Sequence, residues 1–147
     1  MFADLLRKLT GTPDDTTLDA SDARLAMAAL LVRVARADDL YHPAEVARID
    51  AVLRHRYGLI EADAVSLRTE AEALEAQASD TVRFTRLIKD AVPYEERDAV
   101  IEAMWYVALS DDDRSEDENA LLRMVANLIG VTDRDSALAR QRAANRL

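Results

Sequence analysis

Ala35-Arg36-Ala37-Asp38-Asp39-Leu40-Tyr41-His42-Pro43-Ala44-Glu45 returns in character 73 residues later, as Ala108-Leu109-Ser110-Asp111-Asp112-Asp113-Arg114-Ser115-Glu116-Asp117-Glu118. Each copy leaves an apolar segment, crosses a short acidic stretch and enters a second segment with Glu at its third position. The correspondence extends outward. Leu31 and Val34 map onto Met104 and Val107, Ile49 and Val52 onto Leu122 and Val125, and Gly58 onto Gly130 with one residue deleted. Apolar residues three and four apart mark helices, so each copy reads as helix, acidic loop, helix. A single such hairpin cannot bury its own apolar faces, whereas two packed together about a pseudo-twofold axis can. Both acidic loops would then occupy equivalent places.

The flanking sequence adds helices and no strands. Phe2, Leu5, Leu6 and Leu9 predict a short docking helix that ends at Gly11 and Pro13. Residues 1–19 thus form an N-terminal helix and loop ahead of the main domain, 20–131. From Asp19 or Ser21 a helix runs to about Ala37, and its Leu25, Ala28, Ala29, Leu30, Leu31, Val32, Val34 and Ala35 cover so wide an arc that it must be central. Pro43 opens the next helix, where its missing N–H costs nothing, and Gly58 closes it. A third helix from Glu61 to about Ala78 reads as a surface helix, with Leu67, Ala71 and Leu74 inward and Glu70, Glu72 and Glu75 outward. Phe84, Leu87, Ile88 and Ala91 stripe a fourth helix. Pro93 precedes a second central helix, in which Ala103 to Leu109 carries no charge, and Leu121, Leu122, Val125 and Ile129 stripe the helix before Gly130. The C-terminal helix or tail, 132–147, has Leu138 and Ala144 as its chief anchors. The expected fold is one all-α domain of about seven to eight helices built on two pseudo-symmetric helix-loop-helix repeats.

Composition narrows the function. The chain has 147 residues, 50% hydrophobic and 32% charged, with three Gly and three Pro, which excludes a disordered or collagen-like chain and predicts a soluble domain. A net charge of −9 repels phosphate backbones, so nucleic acid is not an expected ligand. There is no cysteine, which removes disulfides, thiolate nucleophiles, Cys-type zinc sites and iron–sulfur clusters and accords with a cytoplasmic location. The longest apolar run is far below the roughly 20 residues a membrane span requires, and the first residues lack the apolar core of a signal peptide. Direct membrane insertion is therefore not expected.

The pattern Ala37-Asp38-Asp39-x-x-His42-x-x-Glu45, echoed as Ser110-Asp111-Asp112-x-x-Ser115-x-x-Glu118, resembles the TerB-like domain of tellurite-resistance proteins, a domain type that also precedes membrane-linked DnaJ-like co-chaperones. The family pattern usually reads Ala-Asp-Gly, with Glu seven residues after the Asp. The Asp38–Glu45 and Asp111–Glu118 spacings keep it, while Asp39 and Asp112 replace the family Gly. The resemblance covers about residues 20 to 131. It implies a non-enzymatic helical stress-response domain with paired acidic loops that bind metal ions and dock onto protein partners, some of them membrane-associated.

The residues themselves allow two readings of those loops. Six carboxylates lie within Asp111 to Glu118, and ionising all of them is costly unless a divalent cation relieves the crowding. Oxygen ligands suit Ca²⁺, Mg²⁺ or Mn²⁺, and Zn²⁺ less well. The candidate metal residues are Asp38, Asp39, Glu45, Asp111, Asp112 and Glu118. The EF-hand pattern fails, because counting from Asp111 the sixth position is Glu116 and the twelfth is Leu122. The other reading needs no ligand. Ser115 and Glu118 make a capping box, His42 to Glu45 a weaker one, and acids in a first helical turn favour the macrodipole. Asp38 and Asp111, at the ends of the preceding helices, oppose that dipole by roughly 0.3–1 kcal/mol when exposed, and this penalty in both copies favours a ligand. His55, between Arg54 and Arg56, reads as a solvated residue, Trp105 and Tyr106 as core, and Arg140, Arg142 and Arg146 as a basic partner-docking or snorkelling tail. No phosphate-binding glycine loop and no nucleophile–base set can be assembled, so no enzyme is expected.

Overall fold

The computed structural model describes residues 20–37, 41–77, 81–110 and 116–146, with the side chains of 20–22 and 116–118 outside the description. The N-terminal helix and loop expected over 1–19 lie outside the described residues. Among those described, seven α-helices and one short 3₁₀ turn make up the fold, with no strand. They are α1 (Ala20–Ala35), α2 (Pro43–Tyr57), α3 (Glu61–Gln77), α4 (Thr81–Ala91), the 3₁₀ turn Tyr94–Glu96, α5 (Arg97–Ala108), α6 (Glu116–Leu128) and α7 (Asp133–Asn145). The all-α class is as the periodicity predicts.

From Leu25 to Ala35 every residue of α1 is buried except Arg33, which is half-buried. No other placement satisfies a helix that is apolar on nearly all sides. Five of the other six helices wrap it: α2, α3, α4, α5 and α6 all contact α1. The second apolar segment behaves alike, with Val100, Ile101, Ala103, Met104, Trp105, Val107 and Ala108 of α5 buried. Its main neighbour is α7, as α3 is the main neighbour of α1. Ala64 and Ala71 on α3, and Ala139 and Ala143 on α7, are fully buried, and such small side chains let helix axes approach closely.

The turns after α2 and α6 share one closure. Gly58 (φ 62°) and Gly130 (φ 85°) are left-handed, a conformation that opposes a side chain. The residue after each glycine donates its N–H to a carbonyl five residues back, Leu59 to Arg54 at 3.1 Å and Val131 to Ala126 at 2.8 Å. Both turns deliver the chain to a helix beginning three residues after the glycine, at Glu61 and at Asp133.

Three sequence expectations change. Glu72 and Glu75 do not lie on a solvated face of α3, because cations from α1 and α3 draw both into half-buried ion pairs. Ala91 is exposed, since α4 ends there and turns toward Pro93. The anchors of the last helix are Ser136, Ala139 and Ala143, whereas Leu138 is 41% exposed and Ala144 is exposed. The helix is rotated so that its small residues meet α5, and bulk at those positions would push the pair apart. Replacing Leu138 with Ala should therefore cost at most about 1 kcal/mol, while Leu31→Ala should cost about 2–5 kcal/mol in urea denaturation. Comparable losses for the two would show that α7 docks through Leu138 after all.

Candidate functional site

The candidate residues fall at two bends, one between α1 and α2 and one between α5 and α6. Asp38, Asp39, Asp111 and Asp112 lie outside the described residues, as does the side chain of Glu118. Glu45 is described. It is fully buried, with 0% of its surface exposed, on the first turn of α2. Its Oε1 accepts the His42 N–H at 3.3 Å, the carboxylate half of the cap that the His42 to Glu45 spacing predicts. His42 is extended (φ −71°, ψ 144°), and Pro43 at the first helical position fixes the entry into α2. Among the described residues, no three His, Asp or Glu side chains cluster as a metal site.

A network of charge-assisted bonds holds the chain on the far side of the first bend. Tyr41 donates its phenol proton to Glu72 at 2.7 Å, and Arg68 donates to Glu72 at 3.0 Å and to Asp50 at 2.6 Å. Arg36, at the end of α1, lies 4.8 Å over the Tyr41 ring and donates to Glu75 at 2.9 Å. Arg33 also reaches Glu75, at 3.4 Å, and donates to the Thr81 hydroxyl at 2.9 Å. Four helices and the residue that resumes the chain after the bend are thereby tied together. Burial pushes the Tyr41 phenol well above its ordinary value, and the Glu72 carboxylate that accepts its proton pushes further. These residues were not legible as partners in the sequence. Only Arg68 and Glu72, four apart on one helix, carried a local signal.

The second bend is framed differently. Arg48 of α2 donates to the Tyr106 carbonyl at 2.7 Å and lies 4.6 Å over its ring, while Arg146 of the C-terminal turn lies 4.4 Å over the same ring. Glu102 pairs with Arg142 and Arg146. Two of the three tail arginines thus bind the chain to itself. Trp105 is core, as expected, and Tyr106 is partly buried against it. Ser110, the last described residue before Asp111, has a buried Oγ with no hydrogen-bond partner among the described residues. His55 is exposed, as its neighbours predict.

An all-helical fold with paired bends of this kind accords with the comparison to known families. A model of the family described as tellurite resistance protein TerB matches residues 24–141. The chain belongs to the TerB family. No curated protein and no solved structure matches it significantly. The match runs into α7 as far as residue 141, so the family domain takes in Ser136 and Ala139 of the face that packs on α5. TerB domains are generally helical and non-enzymatic. Among the described residues, no helix of this TerB-family chain is long and apolar enough to cross a membrane.

The tyrosines give this network a pH signature. Tyr57 is raised like Tyr41, by burial, against the opposing charges of Arg56 and Arg24. Both folded phenols therefore hold protons that the unfolded chain releases near the ordinary value of about 10. Their contribution to stability is complete below about pH 10 and declines as the pH climbs from there toward the folded values. Tyr41→Phe should lower stability by about 1–3 kcal/mol at neutral pH, where it removes the bond to Glu72. It should also flatten part of the alkaline decline in urea melts taken up to about pH 12. An unchanged slope would remove Tyr41 from that account.

Proposed function

We propose that this TerB-family chain is a non-enzymatic cytoplasmic stress-response module that binds a divalent cation weakly at its paired acidic loops and presents that acidic surface to a protein partner. Such a partner can itself be membrane-associated, without this chain entering the bilayer. The observation that carries the cation reading is the burial of Glu45. This fully buried carboxylate stands on the first turn of α2, directly after the bend that carries Asp38 and Asp39. Asp38 and Asp39, seven and six residues before it, supply further hard oxygen donors at the same bend. At the second bend the buried Ser110 Oγ adds an oxygen beside Asp111 and Asp112, with Glu118 seven residues after Asp111. Oxygen donors of this kind fit Ca²⁺, Mg²⁺ or Mn²⁺. A bound ion would neutralise part of the local charge there and alter what the acidic surface attracts.

The two bends are read as duplicate copies, with each site the counterpart of the other. The matched glycine closures at Gly58 and Gly130 support this, as do the like-placed helices that follow them. So do the buried small residues Ala64 and Ala71 on α3 and Ser136 and Ala143 on α7, which stand at one common offset.

Isothermal titration of the full chain with Ca²⁺, Mg²⁺, Mn²⁺ and Zn²⁺, paired with thermal melts, tests the cation. The expected outcome is saturable heat and a raised Tm at up to millimolar ion, both lost in a chain carrying Asp38→Ala and Asp111→Ala. Silence in both measurements would remove the metal.

A second reading has its own observation, the His42 N–H bond to Glu45 at 3.3 Å. If the loops are caps only, the chain is a metal-free interaction module. Asp38→Ala and Asp111→Ala would then leave stability unchanged or raise it slightly, by about 0.3–1 kcal/mol each, with or without divalent ion.

A further inference from the structure

Away from the first bend, an open groove of about 350 Å³ runs between α5, α6 and α7. Trp105 comes from α5, Asn119 and Arg123 from α6, and Asp133, Ser136 and Arg140 from α7. The indole is fixed: its Nε1–H donates to the buried Ser136 Oγ at 3.1 Å, and the Arg140 guanidinium lies 5.2 Å over its ring. A stacked guanidinium of this kind is preorganised, so it loses little freedom on meeting a ligand.

The groove carries two cations that no ion pair holds among the described residues. Arg33, Arg36 and Arg68 are ion-paired, as are Arg142 and Arg146. Arg123 and Arg140 are exposed, come from adjacent helices, and have no carboxylate within ion-pair distance among the described residues. In a protein of net charge −9, two guanidinium groups on one concave surface, neither in an ion pair among the described residues, form a local site for a carboxylate. The same groove asks for a hydrogen-bond donor as well. The Oδ1 of Asn119 is buried and accepts no bond among the described residues, and Asp133 brings a second acceptor. An unpaired buried acceptor is costly until a donor arrives.

We infer that the groove binds a short acidic peptide segment, whose Asp or Glu carboxylate meets Arg123 and Arg140 while a backbone N–H meets Asn119 Oδ1. A peptide supplies both halves of that pattern. Inorganic phosphate supplies the charge but no backbone amide, and Asp133 repels it as it repels the peptide carboxylate, so experiment separates the two. The volume lies near the lower end of ligand sites, about 300–1,000 Å³, which suits a few residues and not a folded surface. This goes beyond the docking reading above, since the groove is a surface separate from the acidic face, and it does not depend on the cation at the loops.

Trp105 is the chain's single tryptophan, so its emission reports on this groove directly. The full chain is titrated in EDTA at low salt with acetyl-Glu-Asp-Glu-amide, with acetyl-Gln-Asn-Gln-amide and with inorganic phosphate. Calorimetry provides a second readout, because Arg140→Gln alters the indole's own surroundings. The acidic peptide should give a saturable response and the amide peptide none. Arg123→Gln and Arg140→Gln should each weaken binding by about tenfold or more while melting like the unmodified chain. No saturable response up to about 10 mM would overturn the proposal, as would equal responses to the two peptides or binding indifferent to both substitutions. Saturation by phosphate with displacement of the peptide would also overturn it, in favour of a simple anion site. Because EDTA is present throughout, loss of peptide binding is separable from loss of the loop cation. A partner that still docks on the acidic face when the peptide does not bind would leave the docking reading standing without this groove.

Discussion

A helix with no polar face governs this fold. From Leu25 to Ala35 only Arg33 approaches solvent, so α1 can exist in water only when covered on every side. Five other helices contact it to do so. The remaining architecture follows from that requirement. α3 must lie along α1 closely, which its buried alanines permit, and α5 must cross into the same core with an apolar run of its own. Arg33 itself is turned to use. Its stem leaves the core beside Phe84, its guanidinium lies 4.9 Å over that ring, and its donors reach Glu75 and Thr81.

Burial of this extent makes the bends the places where chemistry can vary. The core fixes where α1 ends and α2 begins, and where α5 ends and α6 begins. The first bend is bounded by a polar network through Arg36, Tyr41, Arg68 and Glu72. The second is bounded by Tyr106, held between the guanidinium groups of Arg48 and Arg146. The two bends thus have different surroundings. The first is closed by carboxylate acceptors on α3, and the second by an arginine from each neighbouring helix. If the two loops hold cations, those differing surroundings are the reason to expect unequal affinities.

Much of the fold was legible because helical spacing records burial directly. The wide arc of α1, the uncharged run of α5 and the closing glycines at 58 and 130 each announced their roles. The errors came where burial depends on a neighbour. Leu138 looked like an anchor because it is large, yet α5 has room only for Ser136, Ala139 and Ala143. Glu72 and Glu75 looked solvated because they are charged, yet Arg33, Arg36 and Arg68 converge on them across a helix interface. Of the candidate site, Glu45 was named from its spacing alone, and nothing in that spacing indicated its complete burial. The groove beside Trp105 was invisible in the sequence, since its residues come from three helices and span positions 105 to 140.

The sequence by itself determined the helical class, the central place of the two apolar helices and the glycine-closed turns, because each depends on residues within a turn or two of one another. Tertiary structure alone decided which charges are paired and which arginines line the groove. It also decided that one carboxylate at the first bend would be taken out of water. Those outcomes depend on which helix faces which, and that is set by the whole core rather than by any local run of residues.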